Sequence, residues 1–248
     1  MNIKKHIPNA ITCCNLLCGC LAIVQAFEGN LVYAAYLVGL AAVFDFFDGF
    51  AARMLKVSSA IGKDLDSLAD MVTFGVVPGF VMFQLIQLSM KNYHEISYGD
   101  ELPLFYGYLK YSAFIIPIFS ALRLAKFNND IRQTESFIGL NTPANSMIIC
   151  SIPLILEQHP HLGIFINSFG LITLSIILSL LLVSEIPMFS LKFKHFKWKG
   201  NEIRFVFLAL SVLMLATLQF VGVPLIIIVY VLLSALTNRL AKRKTVAK

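Results

Sequence analysis

Apolar and polar positions in this chain alternate in long blocks rather than residue by residue. Runs of about 16 to 28 mostly apolar residues are separated by short polar, glycine or proline breaks. A helix that crosses a bilayer needs about 20 such residues. The pattern therefore predicts eight spans, at roughly 11–28, 31–54, 64–91, 107–128, 142–157, 163–185, 203–220 and 223–238, the fifth being short for a crossing. Gly29 and Asn30, Pro143, Pro160, and Gly222 with Pro224 punctuate the connections. The fold class this implies is an all-α integral membrane protein. Residues 1–190 hold the first six of these spans, and residues 191–248 a basic loop, two further spans and a basic tail.

Composition agrees. Of 248 residues, 58% are hydrophobic and only 14% charged, against about 25% charged in a soluble domain. That excludes a disordered chain and an ordinary soluble enzyme. The net charge of +6 would suit a nucleic-acid partner, but its distribution gives a different meaning. With the N-terminus placed in the cytoplasm, eighteen of the twenty Lys and Arg fall on cytoplasmic segments, and only Lys91 and Lys110 face outward. The outward loop 92–106 carries Glu95, Asp100 and Glu101 instead. This bias orients both termini to the cytoplasm and predicts an inner or plasma membrane protein with no nucleic-acid partner. The run Lys192–Lys199, KFKHFKWK, reads as an interfacial stretch under anionic headgroups. Lys4 and Lys5 followed by an apolar run imitate a signal peptide, but the next span follows at once and Pro8, Asn9 and Thr12 read as structure, so a retained helix is expected. Four of the five cysteines, Cys13, Cys14, Cys18 and Cys20, lie in the first span, with Cys150 in the fifth. They have no metal-ligand spacing and read as packing residues.

The acids carry the chemistry. Five of fourteen lie between Asp45 and Asp70, although a charge near the bilayer centre costs about 2.5–3.5 kcal/mol on insertion scales. At about 100° per residue, Asp48, Gly49, Ala52 and Arg53 all fall within about 80° of Asp45 on the second span. That face bears two carboxylates, two residues with almost no side chain and one guanidinium. Phe47, Phe50 and Met54 point away from it. On the third span Gly62, Asp66 and Asp70 follow at i, i+4 and i+8, and Thr73 returns to the same stripe. Asp64 and Lys63 lie off it, and Asp64 reads as a helix-start acid favoured by the dipole. A short loop makes the two spans antiparallel neighbours, so Asp45, Asp48, Asp66 and Asp70 converge. Four such charges need compensation. An all-oxygen set suits Mg²⁺ or Mn²⁺, with room for a pair of ions that neutralise the carboxylates and bridge to a pyrophosphate. Gly49 and Ala52 leave space for that anion, and Arg53 can grip it bidentately. The carboxylates alone suit a cation or proton transporter equally well. The interleaved Gly, Ala and Arg, and the crowding of polar groups at one end, favour phosphate chemistry.

The string Asp45-x2-Asp48-Gly49-x2-Ala52-Arg53-x8-Gly62-x3-Asp66-x3-Asp70 resembles the full signature of the CDP-alcohol phosphotransferase family. Four further segments resemble its membrane-bound phosphatidylserine synthase branch. They are Ile7-Pro8-Asn9-x2-Thr12-x2-Asn15-Leu16-x2-Gly19, Gly62 to Asp70 running on to Thr73-Phe74-Gly75-x2-Pro78, Leu122 to Asn128, and Phe137-x-Gly139-Leu140-x2-Pro143-x-Asn145. Together they cover most of residues 7–190. Thr73, Lys126 and Asn141 depart from the residues common there, and Glu185 stands where some relatives carry a base.

The resemblance implies a six-helix core, usually dimeric, with two divalent ions on the four aspartates and Asp70 as general base. It implies CDP-diacylglycerol as donor and L-serine as acceptor. Arg123, near the cytoplasmic end of the fourth span, is the candidate for the acceptor's carboxylate. Asn9, Thr12 and Asn15 share a stripe of the first span and are candidates for the nucleotide side. Phosphatidylglycerophosphate synthesis and archaeal ether-lipid serine transfer are same-family alternatives, and a transporter is the alternative of another class.

Overall fold

The computed structural model describes residues 4, 6–97, 104–130, 137–189, 198 and 201–246. Helices dominate: α1 (His6–Phe27), α2 (Leu31–Leu55), α3 (Ala60–Asp70), α4 (Val77–Ser97), α5 (Leu104–Leu109), α6 (Ile115–Asn129), α7 (Thr142–Gln158), α8 (Ser168–Val183), α9 (Glu202–Leu218) and α10 (Gly222–Val246). A π-helical turn, Met71–Val76, joins α3 to α4 without a break. Two short strands, β1 (Phe137–Ile138) and β2 (Pro187–Met188), pair antiparallel, with Phe137 opposite Met188 and Ile138 opposite Pro187.

Among the described residues, five helical stretches are long and apolar enough to cross a membrane: His6–Phe27, Leu31–Leu55, Ala60–Lys91, Gly107–Asn129 and Glu202–Asn238. The last is two helices. Gln219 takes a left-handed φ of 50° and closes α9, and the Phe207 and Tyr230 rings lie 5.7 Å apart across the resulting hairpin. A helix lies in each of the eight predicted segments, with shifted limits, but Thr142–Gln158 and Ser168–Val183 are shorter than a full crossing. The third begins at Ala60 rather than 64. The sixth begins at Ser168, because Asn167 accepts from Gly170 N and caps it, while Pro160–Phe165 forms a separate 3₁₀ segment.

The helix interfaces are built from small residues. Ala22 and Ala26 of α1 and Ala34, Ala35, Val38 and Ala41 of α2 are buried, letting backbones approach as membrane helices require. Gly19 marks the closest approach: a Cβ there would stand 2.4 Å from Thr73 Oγ1 in the π-helical turn. The outward surface carries large apolar side chains such as Leu17, Phe46, Ile118, Ile176 and Leu213. In water this would be a liability, and in lipid it is the expected coat.

Two expectations need correction. Asp64 does not start its helix: Ser59 is the cap, accepting from Gly62 N at 3.0 Å, and Asp64 is an exposed residue further in. The cysteines do not all pack: Cys18 and Cys150 are buried, whereas Cys13, Cys14 and Cys20 are exposed, and all five are free thiols. The KFKHFKWK run, the side chains of the outward loop 92–106 and the side chains of the basic tail from Arg239 lie outside the described residues, apart from Trp198, which stacks on Phe205 at 5.6 Å.

Candidate active site

The site is made by one tight reversal of the chain. At the end of α2, Val57 N bonds Ala52 O at 3.0 Å and Lys56 N bonds Arg53 O at 3.2 Å. That is the paired closure of a left-handed C-cap, with Lys56 at φ 52° where glycine is commoner. Three residues later Ser59 caps α3. The two caps leave no slack, and they set the last turns of α2 against the first turns of α3.

Three carboxylates meet there. One oxygen each of Asp45, Asp48 and Asp66 lies within 4.8 Å of the others. Asp70 joins from one turn further along α3, its carboxyl against that of Asp45. Asp48 is buried at 6% exposure, and the other three are half-buried. Among the described residues none of the four is ion-paired. An ion pair lies outside the cluster, between Lys126 and Glu185.

Helix α1 supplies the polar lining. Thr12 Oγ1 donates to Asp48 Oδ2 at 2.7 Å, with Pro8 O a further 3.0 Å neighbour. Asn15 Nδ2 donates to Asp70 Oδ1 at 3.3 Å, and Thr73 Oγ1 donates to Asn15 O at 3.2 Å. Asn9 Oδ1 sits where a Cβ on Gly62 would come within 3.0 Å, so a side chain at position 62 would push Asn9 aside. The predicted stripe Asn9, Thr12, Asn15 therefore does face the acids.

An open cavity of about 260 Å³ lies beside this cluster. Its walls are Pro8, Asn9 and Thr12 of α1, Asp48, Gly49 and Ala52 of α2, the turn Val57–Ser59, and Gly62, Lys63 and Asp66 of α3. Small residues open it, as their spacing predicts. Arg53 is exposed at its edge, with its guanidinium folded back over Gly49. Lys63, which helical geometry puts off the carboxylate stripe, nevertheless borders the cavity, and its Nζ donates to Asn128 O at 3.2 Å. A four-carbon stem reaches past the angular limits of its helix face.

Helix α6 closes the far side. Arg123 is buried at 6% exposure, within electrostatic reach of Asp70, its guanidinium 4.8 Å from the Phe127 ring. Its Nε has no acceptor among the described residues. Asn128 Nδ2 donates to Ser67 Oγ at 2.8 Å, tying the end of α6 to α3 beside Asp66. Spacing alone missed Ser59, Ser67 and Asn128. The Ser59-x2-Gly62 step was a readable cap signal, whereas Ser67 and Asn128 lie inside the segments that resemble the family but have no spacing that pairs them. Asn145 on α7 is fully buried with neither polar atom partnered among the described residues.

Donor chemistry tests whether a metal fits. Clustered carboxylates that form no ion pair among the described residues are the ligand set of a hard divalent cation. Asp45, Asp48 and Asp66 are the residues that could hold one, with Asp70 adjoining.

Comparison with known proteins agrees with this geometry. The chain is 35% identical over 198 residues to the CDP-diacylglycerol–serine O-phosphatidyltransferase of Bacillus subtilis (strain 168), covering 80% of this chain and 95% of that protein. The protein of the same name from Helicobacter pylori (strain 26695) is 28% identical over 218 residues, covering 87% and 84%. That of Methanocaldococcus jannaschii is 30% identical over 180 residues, covering 73% and 72%. The family profile described as CDP-alcohol phosphatidyltransferase matches residues 5–237, which include every side chain of the acidic cluster and its lining. This chain, an all-α integral membrane protein, belongs to the CDP-alcohol phosphatidyltransferase family.

Proposed function

We propose that the chain transfers the phosphatidyl group of CDP-diacylglycerol to the hydroxyl of L-serine, releasing phosphatidylserine and CMP. The observation that carries this reading is the aspartate cluster opening on a cavity bordered by Gly49, Ala52 and Gly62, in a chain whose relatives bear that activity in their names.

Asp45, Asp48, Asp66 and Asp70 would hold Mg²⁺ or Mn²⁺, two ions per site. Bound there, the ions supply charge neutralisation for the pyrophosphate and the departing CMP. Thr12 and Asn15 fix the orientation of Asp48 and Asp70 through their hydrogen bonds. Gly49, Ala52 and Gly62 leave room for the diphosphate, and Arg53 at the rim turns from Gly49 to grip it. Asn9 borders the nucleotide side. Buried Arg123 pairs with the serine carboxylate, which would give its free Nε an acceptor.

Asp70 takes the proton of the serine hydroxyl. The serine oxygen then bonds to the lipid-side phosphorus in line with the phosphoanhydride bond. That bond breaks and its electron pair leaves on CMP. The acyl chains stay in the bilayer throughout. The site faces the cytoplasm, where the positive-inside bias places the end of α2, and the chain works as a homodimer.

One incubation tests this: purified protein, CDP-diacylglycerol, Mg²⁺ or Mn²⁺, and serine, glycerol 3-phosphate or inositol as acceptor. CMP release with serine alone is expected. Release with glycerol 3-phosphate alone assigns another branch, and ion flux in liposomes that needs Asp66 but no CDP-lipid overturns the enzyme reading.

A further inference from the structure

None of the proposed chemistry uses α9 or α10, yet α10 makes a specific connection at the cytoplasmic end. Tyr230, Ser234 and Asn238 stand at i, i+4 and i+8, on one face of the helix. Tyr230 Oη donates to Phe189 O at 2.9 Å. Ser234 Oγ accepts from Phe189 N at 3.3 Å while donating to Tyr230 O at 2.7 Å. Asn238 Nδ2 donates to Pro187 O. The Phe189 ring is held between Tyr230 at 4.8 Å and Phe207 at 5.6 Å. Three backbone polar groups of β2 and its end are satisfied by side chains of one helix face. Within a membrane protein such groups need an internal partner.

The other edge of the same segment faces the core. Gly139 N bonds Ile186 O at 2.9 Å and Leu140 N bonds Leu181 O at 3.0 Å. Gly139 adopts φ 76°, and a Cβ there would lie 2.6 Å from Leu182 O, so the junction tolerates only glycine. The next residue but one, Asn141, caps α7 by accepting from Ala144 N. On the α6 side, Glu185 pairs with Lys126, one turn beyond Arg123. Residues 184–189 therefore touch α6, the segment of β1 and Gly139 that leads into α7, and α10.

We propose that α10 holds residues 184–189 as a strap that positions the start of α7 and the end of α6, with Tyr230 and Ser234 as positioning residues. The hairpin then reaches the site at second hand, and Glu185 is the strap's anchor on α6. The strap itself is independent of the reaction. Its kinetic consequence, an effect on acceptor binding through Arg123, rests on the proposed serine transfer.

Hydrogen exchange on the full chain in lipid nanodiscs tests it, comparing wild type, the double variant Tyr230→Phe/Ser234→Ala, and Ser234→Thr. In the double variant, the amides of 137–140 and those of Ile186, Met188 and Phe189 are expected to exchange about tenfold faster, since both side-chain hydrogen bonds to Phe189 and that of Ser234 to Tyr230 O are lost. Amides of α1 to α3 keep wild-type rates, and Ser234→Thr, which retains the hydroxyl, restores protection. The serine KM rises several-fold while the CDP-diacylglycerol KM is unchanged. Faster exchange at 186–189 with none at 137–140 overturns the strap, and so does a uniform rise across α1 to α3. If serine is not the acceptor, the exchange result still decides the strap, so the two failures are distinguishable.

Discussion

The α1–α3 region and the α9–α10 hairpin are both apolar and helical, but they are assembled on opposite terms. The window of highest hydropathy belongs to the hairpin, at 2.5, and only 11% of it is buried inside the protein. The most apolar windows of α1 and α2 have hydropathies of 1.9 and 1.6, and each is 33% buried. In water the more apolar helix would be the more buried one. In lipid there is no such drive, and close backbones and interhelical hydrogen bonds decide which helices pack. Thr12, Asn15, Asp48 and Thr73 are buried polar residues of the first region. They join α1 to α2, to α3 and to the turn beyond it. In α9 only Phe207 is fully buried. Polar residues therefore hold the reactive end together, and the apolar hairpin meets lipid along most of its length and the core at a few named points.

The sharpest way to break this contrast is to remove one acid. Asp66→Asn is expected to lower CMP release by about a thousandfold or more, because it removes a proposed metal ligand rather than a packing contact. EDTA should do the same to wild type, with activity restored by Mg²⁺ or Mn²⁺. Activity of Asp66→Asn within tenfold of wild type would place the chemistry elsewhere. Next in size, Arg123→Lys should raise the serine KM by about tenfold, as a point charge replaces a bidentate fork. The KM for CDP-diacylglycerol should stay put, and an unmoved serine KM would remove Arg123 from the acceptor site.

Packing comes third. Gly19→Ala meets Thr73 Oγ1 at an impossible distance and should cost about 1–3 kcal/mol of stability, read as a lowered Tm in detergent. Gly39→Ala, on α2 with nothing within 4 Å of the new Cβ, should leave Tm unchanged or slightly raised. A similar loss at both would mean that close packing is not special to the reactive end. The smallest effect belongs to the hairpin: Leu213→Ala, at 59% exposure, should change stability by about 0.5 kcal/mol or less.

The reactive end was legible because helical periodicity does most of the work. Asp45 with Asp48, and Asp66 with Asp70, share faces by arithmetic, and a short loop makes the two faces meet. Asn9, Thr12 and Asn15 were legible as a stripe for the same reason. Arg53 and Lys63 were harder, since flexible stems decide where their charges end. Lys63 reached the cavity against its angle, and Arg53 lay back over Gly49. The π-helical turn had no sequence signal, because it is set by α1, where Gly19 lets Thr73 approach. The hairpin's role was not readable at all. Tyr230, Ser234 and Asn238 form a polar face only in light of the strand they satisfy, 41 to 51 residues away.

The most direct measurement is CMP release and phosphatidylserine formation by wild type and Asp70→Asn in EDTA-treated membranes, before and after Mg²⁺ is restored. Wild type should recover both products in equal amounts with serine present. Asp70→Asn should recover neither, while still folding with the wild-type Tm. Near wild-type turnover by Asp70→Asn, or full activity without a divalent ion, would contradict the assignment of the acidic cluster as the seat of phosphatidyl transfer.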